Sequence, residues 1–326
     1  MKTIISFLLI IFILTDSEAQ TFFKDKFTHT YSIVARDPVT GEMGVAVQSH
    51  WFSVGSIVSW GEAGVGVVAT QSFVNPSFGI KGLELLKAGK TPQEAVDELI
   101  STDEGRDLRQ LAILDSKGRS ASYTGKNCIQ EAGNIAKENY SVQANMMLSD
   151  KVWGAMSTAF EESSGPLAER MIAALKAAEN EGGDIRGSQS ASLLIVKGES
   201  TGKIWEDRYI DLRVEDNQHP VEELKRLLKV FRAYEHMNKG DLAVEKNDIE
   251  LARKEYFAAE ELFPENLEMK YWHAITLFSN GNEEEAMLIL KEIFAKDNNW
   301  KILTQRLPKS GLLKEDGLKK IMDGIK

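Results

Sequence analysis

The chain has 326 residues and a formal net charge of −10, long enough for two domains with sizeable cores. Its acidic balance, with no Lys/Arg block, argues against nucleic acid or an anionic membrane surface as the principal partner. A single cysteine, Cys128, excludes an internal disulfide, and five scattered histidines without ligand spacing argue against a metal site, so neither metal nor cofactor is expected.

Met1–Ala19 has the form of a secretory signal peptide. Lys2 supplies a minimal positive region, Ile4–Leu14 an apolar run, and Ser17-Glu18-Ala19 small residues at the cleavage-defining positions. The apolar run is too short to span a bilayer, and nothing later approaches spanning length, so the protein is not expected to be membrane-spanning. The expectation is export, periplasmic or secreted, with a mature chain beginning at Gln20. Gln20–His29 then forms a short polar-aromatic arm.

Three apolar, β-branched runs follow, at Tyr31–Ala35, Met43–Val47 and Val65–Ala69, and they read as strands joined by turns. Neither face of the first is polar throughout, which suits a strand inside a layered core. Two runs close on the same pair, Gln48-Ser49 and Gln71-Ser72, and polar strand ends of this kind gather at the rim of a sheet. Leu83, Leu85 and Leu86 mark a helix that stops at Gly89. Thr91-Pro92-Gln93-Glu94 is a capping box that starts the next one. Leu108–Leu114 and Arg119–Thr124 form a hairpin, and Tyr140–Leu148 is strand-like and includes Asn145. Helices over Asp150–Glu162 and Pro166–Asn180 lead to a Gly-rich loop, the strand Ser190–Lys197 and a last strand, Asp207–Glu215. Strands in hairpins and helices in pairs indicate an α+β layered core over residues 30–220.

Beyond Pro220 the composition turns to charged, Ala/Leu/Glu/Lys-rich helix. Ala233–Asn266 and Leu267–Trp300 are equal in length and match the tetratricopeptide period. The small and packing positions fall on Gly240, Ala252, Tyr256 and Ala259, then on Ala274, Ala286, Leu290 and Ile293. Residues 221–326 are therefore expected to form an all-α tetratricopeptide-like domain, with the Gly311–Lys326 helix as a cap. An ordinary helical hairpin tail is the plainer alternative.

Several blocks resemble, in order, the family known as domain of unknown function 1028. They are SIVARDPVTGEMGVAVQS, AGVGVVATQSFVNPSFGIKGLELL, RQLAILDSKGR, TGKNC, GGDIRGSQSASLLIV and DLRVED, and the resemblance runs from Thr30 to Leu228. It implies membership of the N-terminal-nucleophile hydrolase superfamily, whose fold is a four-layer αββα sandwich of antiparallel sheets. In that chemistry a Thr, Ser or Cys opening the first core strand becomes the chain's N-terminus, and its own amine acts as general base. The corresponding residue here is Thr30. Two departures stand out: the arm Gln20–His29 precedes Thr30, and Gln130–Asn134 replaces a stretch in which relatives often carry Trp and His.

Two functions follow. In the first, the protein is an exported amidohydrolase acting on a small peptide or amide, including a cell-wall (peptidoglycan) fragment. Thr30 is then the nucleophile and Asn145 a donor to the oxyanion. Arg36, Gln71, Asp184, Arg186 and Gln189 bind or orient the substrate, Arg being suited to bidentate contact with a carboxylate. The plainer role for Asp184 and Arg186 is an ion pair that fixes the Gly-rich loop. In the second, the core is a non-catalytic ligand-binding scaffold and the helical repeats dock a protein partner. Self-cleavage between His29 and Thr30 separates the two. A homodimer is the default assembly.

Overall fold

The structure, a computed structural model, describes residues 26–325. The signal-peptide reading of Met1–Ala19 and the arm as far as residue 25 lie outside the described residues. Contacts divide the chain into two compact units, the first ending at Val221 and the second running Glu222–Lys326.

The first unit opens with β1 (Lys26–Thr28) and β2 (Thr30–Arg36), and a turn leads into β3 (Met43–Ser49). A short helix α1 (Gly55–Val58) precedes β4 (Ser59–Glu62) and β5 (Gly66–Val74), and helices α2 (Ser77–Lys87) and α3 (Pro92–Ser101) follow. Two hairpins come next, β6 (Arg109–Asp115) with β7 (Ser120–Thr124), and β8 (Gly133–Lys137) with β9 (Tyr140–Ala144). Helices α4 (Val152–Glu162) and α5 (Leu167–Asn180) then lead to β10 (Ser190–Val196), a short α6 (Ile204–Asp207) and β11 (Arg208–Val214).

These strands make two antiparallel sheets. The first has the order β1-β5-β6-β7, with β4 also on β5; the second has the order β11-β10-β3-β2-β9-β8. Because β6 takes one edge of β5, β4 and β1 share the other: β4 pairs with Gly66–Ala69 and β1 with Ser72–Val74. The sheets pack face to face. Alternate residues of each, including Val34, Val45, Val47, Val67, Ala69, Ala112, Leu114 and Leu194, form one buried cluster. The opposite parity of the first sheet, with Val68, Leu111 and Ile113, packs on Phe78, Leu83, Val96 and Leu99 of α2 and α3. On the second sheet α4 sets Phe160 against Tyr140, ring centroids 5.0 Å apart. In α5, Met171 lies so close to β3 that a Cβ on Gly44 would stand 3.0 Å from its Sδ. Strands buried on both faces explain why the sequence runs show no polar face.

The capping box forms as the sequence indicates: Glu94 N donates to Thr91 Oγ1 at 3.3 Å, and Thr91 N to Glu94 Oε2 at 2.7 Å. Elsewhere the elements differ from expectation. The arm expected ahead of the first strand itself contains a strand, Lys26–Thr28, which joins the first sheet. Gly133–Lys137, within the polar stretch after Cys128, is a strand on β9. The strand expected over Tyr140–Leu148 stops at Ala144; Asn145 leaves it and Met146 turns it with φ +61°.

The second unit is helical throughout its described residues. It contains most of α7 (Pro220–Glu245), then α8 (Ile249–Leu262), α9 (Leu267–Ser279), α10 (Glu283–Lys296), α11 (Asn298–Thr304), α12 (Leu307–Ser310) and α13 (Glu315–Gly324). Ala252, Tyr256 and Ala259 of α8, and Ala286, Leu290 and Ile293 of α10, are buried at the expected packing positions. Gly240 has a specific reason to be small: a Cβ there would lie 2.5 Å from Cε1 of buried Tyr256. Gly240→Leu is expected to destabilise this unit by about 1–3 kcal/mol through overpacking, despite the better helix propensity of Leu. A urea midpoint unchanged from wild type would contradict that contact. Among the described residues no helix is long and apolar enough to cross a membrane.

Candidate functional site

Where the apolar layer between the sheets ends, a polar layer replaces it. Ser32 shares parity with Val34, so it points from β2 toward the first sheet, and its Oγ donates to Gln71 Oε1 at 2.6 Å. Gln71 Nε2 donates to the Thr30 carbonyl at 3.1 Å and to Gln110 Oε1 at 2.7 Å. Gln110 Nε2 in turn donates to Ala144 O and to Thr124 Oγ1, each at 2.8 Å. Asn145 Nδ2 reaches the same Gln110 Oε1 at 2.9 Å and the Thr30 carbonyl at 3.3 Å. Gln143 closes the layer through its Nε2 on Ser32 Oγ at 2.6 Å. Thr30, Ser32, Gln71, Gln110, Gln143 and Asn145 are all fully buried. Their mutual satisfaction makes a rigid, single-register layer, which is how buried polar groups are tolerated.

The peptide unit just before Thr30 receives the charged donor. His29 crosses between the sheets, with Thr28 in the first and Thr30 in the second. Its carbonyl accepts Ser49 Oγ at 2.6 Å and Arg186 Nη2 at 2.9 Å. Arg186 is aimed by Asp184, with Nε on Oδ1 at 3.0 Å and Nη2 on Oδ2 at 2.6 Å. Asp184, its side chain fully buried, is itself held by the backbone N–H of Arg186 at 2.9 Å and of His50 at 3.2 Å. Glycine at 183, with φ +56°, brings this loop down beside the Tyr31 ring, where a Cβ would lie 3.4 Å from Cε1. A hydroxyl and a guanidinium on one carbonyl oxygen withdraw electron density from its carbon, and the charged donor is the stronger of the two.

The His29 ring is 2% exposed and stands edge-on to Phe73, centroids 5.8 Å apart. Burial lowers its pKa against the opposing pull of the Asn145 contact, while nearby Arg186 lowers it further and Asp184 raises it. The ring is therefore neutral at pH 7. Because Asn145 Nδ2 donates elsewhere, Asn145 Oδ1 is the acceptor at 2.9 Å, which places the imidazole proton on Nδ1.

Of the residues singled out in the sequence, Thr30, Gln71, Asn145, Asp184 and Arg186 come together around the His29–Thr30 peptide. Asn145 does so in a different way from that expected: its amide is engaged by the Thr30 carbonyl and Gln110, while Ser49 and Arg186 serve the His29 carbonyl. Gln189 braces the rim from outside, its N–H on Ser49 O at 3.1 Å and its side chain turned to Asp216 at 3.1 Å. Arg36 is not part of the cluster. It ends the strand that Thr30 begins, six residues away, which is about 20 Å along a strand. There it donates to Asn139 Oδ1 at 3.4 Å and lines a separate open cavity of about 870 Å³ with Glu42, Lys197 and Glu199. Cys128 is buried, its thiol pKa raised by burial, with Sγ donating to Arg109 O at 3.4 Å. Among the described residues no cluster of three or more His, Cys, Asp or Glu side chains is placed to hold a metal ion.

His29, Ser32, Ser49, Gln110 and Gln143 were not assigned to the site from sequence. Ser49 carried a signal, as half of a polar pair ending a buried strand. Its neighbour Gln48 has the opposite parity and faces away from this layer.

Residues 30–224 match the family of unknown function DUF1028, and the chain belongs to that family. Among solved structures it is similar to the crystal structure of protein SPO2555 from Silicibacter pomeroyi, of the same family. The two are 32% identical with a TM-score of 0.56, over 62% of this chain and 85% of the other. No curated protein matches. The matched span ends within α7, and the helices α8 to α13 lie beyond it.

Proposed function

We propose that this protein is an exported, self-processing amidohydrolase of the N-terminal-nucleophile class, with a four-layer αββα core and tetratricopeptide-like repeats that dock a protein partner. The observation that carries the reading is the His29 carbonyl, gripped by Ser49 Oγ and Arg186 Nη2 immediately before a threonine that opens a core strand. In self-cleavage Thr30 Oγ attacks the His29 carbonyl carbon, and its proton passes to the Thr30 nitrogen as the C–N bond breaks. Water then hydrolyses the ester, leaving a His29 carboxylate, a Thr30 hydroxyl and a free Thr30 amine. That amine, with an ordinary α-amino pKa of about 8, serves as general base for the same hydroxyl on an incoming amide. Ser49 and Arg186 stand where the oxyanion develops.

A non-catalytic binding role is favoured by a different observation: Thr30 is fully buried and β1 is laddered into the first sheet ahead of it. Intact mass and N-terminal sequencing of exported protein decide between the readings. Mature wild type is expected to begin at Thr30, and Thr30→Ala to retain the arm from Gln20. Wild-type protein beginning stably at Gln20 would rule out the enzyme reading, because Thr30 would then have no free amine.

A further inference from the structure

The arm ahead of Thr30 is laddered onto the core as an extended strand. Its last residues run antiparallel along β5, in the register Lys26↔Val74, Phe27↔Phe73 and Thr28↔Ser72. They deliver the His29 carbonyl to Ser49 and Arg186. On self-cleavage at His29–Thr30, the covalent tie of this strand to the core is lost, and its ladder on β5 and the contacts of His29 with Ser49, Arg186 and Asn145 hold it as they would a bound product. When it leaves, no other strand among the described residues pairs with the β5 edge at Ser72–Val74, since β4 covers Gly66–Ala69 of that edge. An unpaired strand edge is a template for an extended peptide.

We infer that the β5 edge at Ser72–Val74 is the acyl-side subsite of the enzyme, and that the substrate is an extended peptide with histidine at the scissile bond. This rests on the self-processing reading and names its substrate class. Such a peptide takes the place of β1, antiparallel to β5, and sets its scissile carbonyl where that of His29 lies. Recognition along the strand is through main-chain pairing. The residue next to the cut is read by its side chain, because the pocket holding His29 offers the edge-on Phe73 ring and the acceptor Asn145 Oδ1. A buried acceptor of this kind discriminates against side chains that leave it unpaired. Thr30 Oγ adds to the carbonyl carbon, the amine leaves with the proton, and water hydrolyses the resulting ester to the peptide acid and the Thr30 hydroxyl.

The test uses full-length exported protein whose N-terminus has been determined, with three aminomethylcoumarin amides as substrates: acetyl-Lys-Phe-Thr-His, acetyl-Lys-Phe-Thr-Ala and acetyl-His. The tetrapeptide ending in His should exceed each of the others by about tenfold or more in kcat/KM, the scale of one or two hydrogen bonds. N-methylating successive amides of that peptide should remove the advantage at alternate positions only, because antiparallel pairing alternates. A fluorescein-labelled copy of the tetrapeptide acid should bind mature protein in a polarisation assay. Mature protein beginning at Thr30 that hydrolyses acetyl-His amide as well as the tetrapeptide, or that fails to bind the labelled acid, overturns the subsite and leaves self-processing standing. Protein that remains at Gln20 overturns both, whether or not it binds the labelled peptide, because it has neither a free Thr30 amine nor a vacated β5 edge.

Discussion

Arg186→Ala and Ser49→Ala will each slow release of the Thr30 amine by about 10²–10³-fold, the usual loss for a donor to a developing oxyanion. Arg186 should have the larger effect, because its hydrogen bond is charge-assisted and is aimed by a fully buried carboxylate. Arg186→Lys retains charge without the planar fork that Asp184 holds at both ends, so it should rescue processing only in part. Ser49→Thr keeps the hydroxyl and should process at a rate near wild type. The readout is the fraction of chain beginning at Thr30 against time, by intact mass, with a thermal midpoint confirming that each variant is folded. Arg186→Ala reaching Thr30 at the wild-type rate would leave the carbonyl contact as packing and nothing more.

Gln110→Leu is the second change with a large expected effect, and it acts on stability. Leucine is close in size, but it removes the acceptor shared by Gln71 and Asn145 at 2.7 and 2.9 Å and the donor to Ala144 O at 2.8 Å. Two amide donors and a carbonyl would then be buried without those partners, at about 1–3 kcal/mol each before relaxation. A loss of about 3–5 kcal/mol is expected for the first unit, against the roughly 1 kcal/mol of an average substitution. Denaturant unfolding measures it, and a loss below about 1 kcal/mol would mean that the layer re-pairs around the gap.

Much of the layered core could be read from the sequence because its signals are local. Runs such as Tyr31–Ala35 carry β-branched residues on both faces, and the Thr91–Glu94 box declares a helix start within four residues. Elements whose partners lie far away in sequence were hidden. Lys26–Thr28 is too short for any period to show, and it is a strand only because β5 supplies an edge. Gly133–Lys137 has the composition of a loop and becomes a strand beside β9. The site was legible to the same degree. Alternation fixes that Thr30, Ser32 and Arg36 share one face of β2, but not that the two ends of the strand serve different places. Gln110 sits between Arg109 and Leu111 with nothing local to mark it, and its role as a bridge appears only when the sheets meet face to face.

The contacts on the His29 carbonyl also set an order of events in time. Ser49 ends β3, Arg186 sits on the loop before β10, and β10 pairs with β3 from Ser190↔Ser49 onward. The two donors therefore converge on one oxygen only after residues about 140 positions apart have met, a contact of high sequence separation that the second sheet must form. A nascent or partly folded chain has an ordinary peptide bond at His29–Thr30, slow to hydrolyse and joined to an unreactive threonine. Under the proposed self-processing reading, bond scission becomes a clock that starts when the second sheet closes, and a chain that stalls short of that point stays chemically silent.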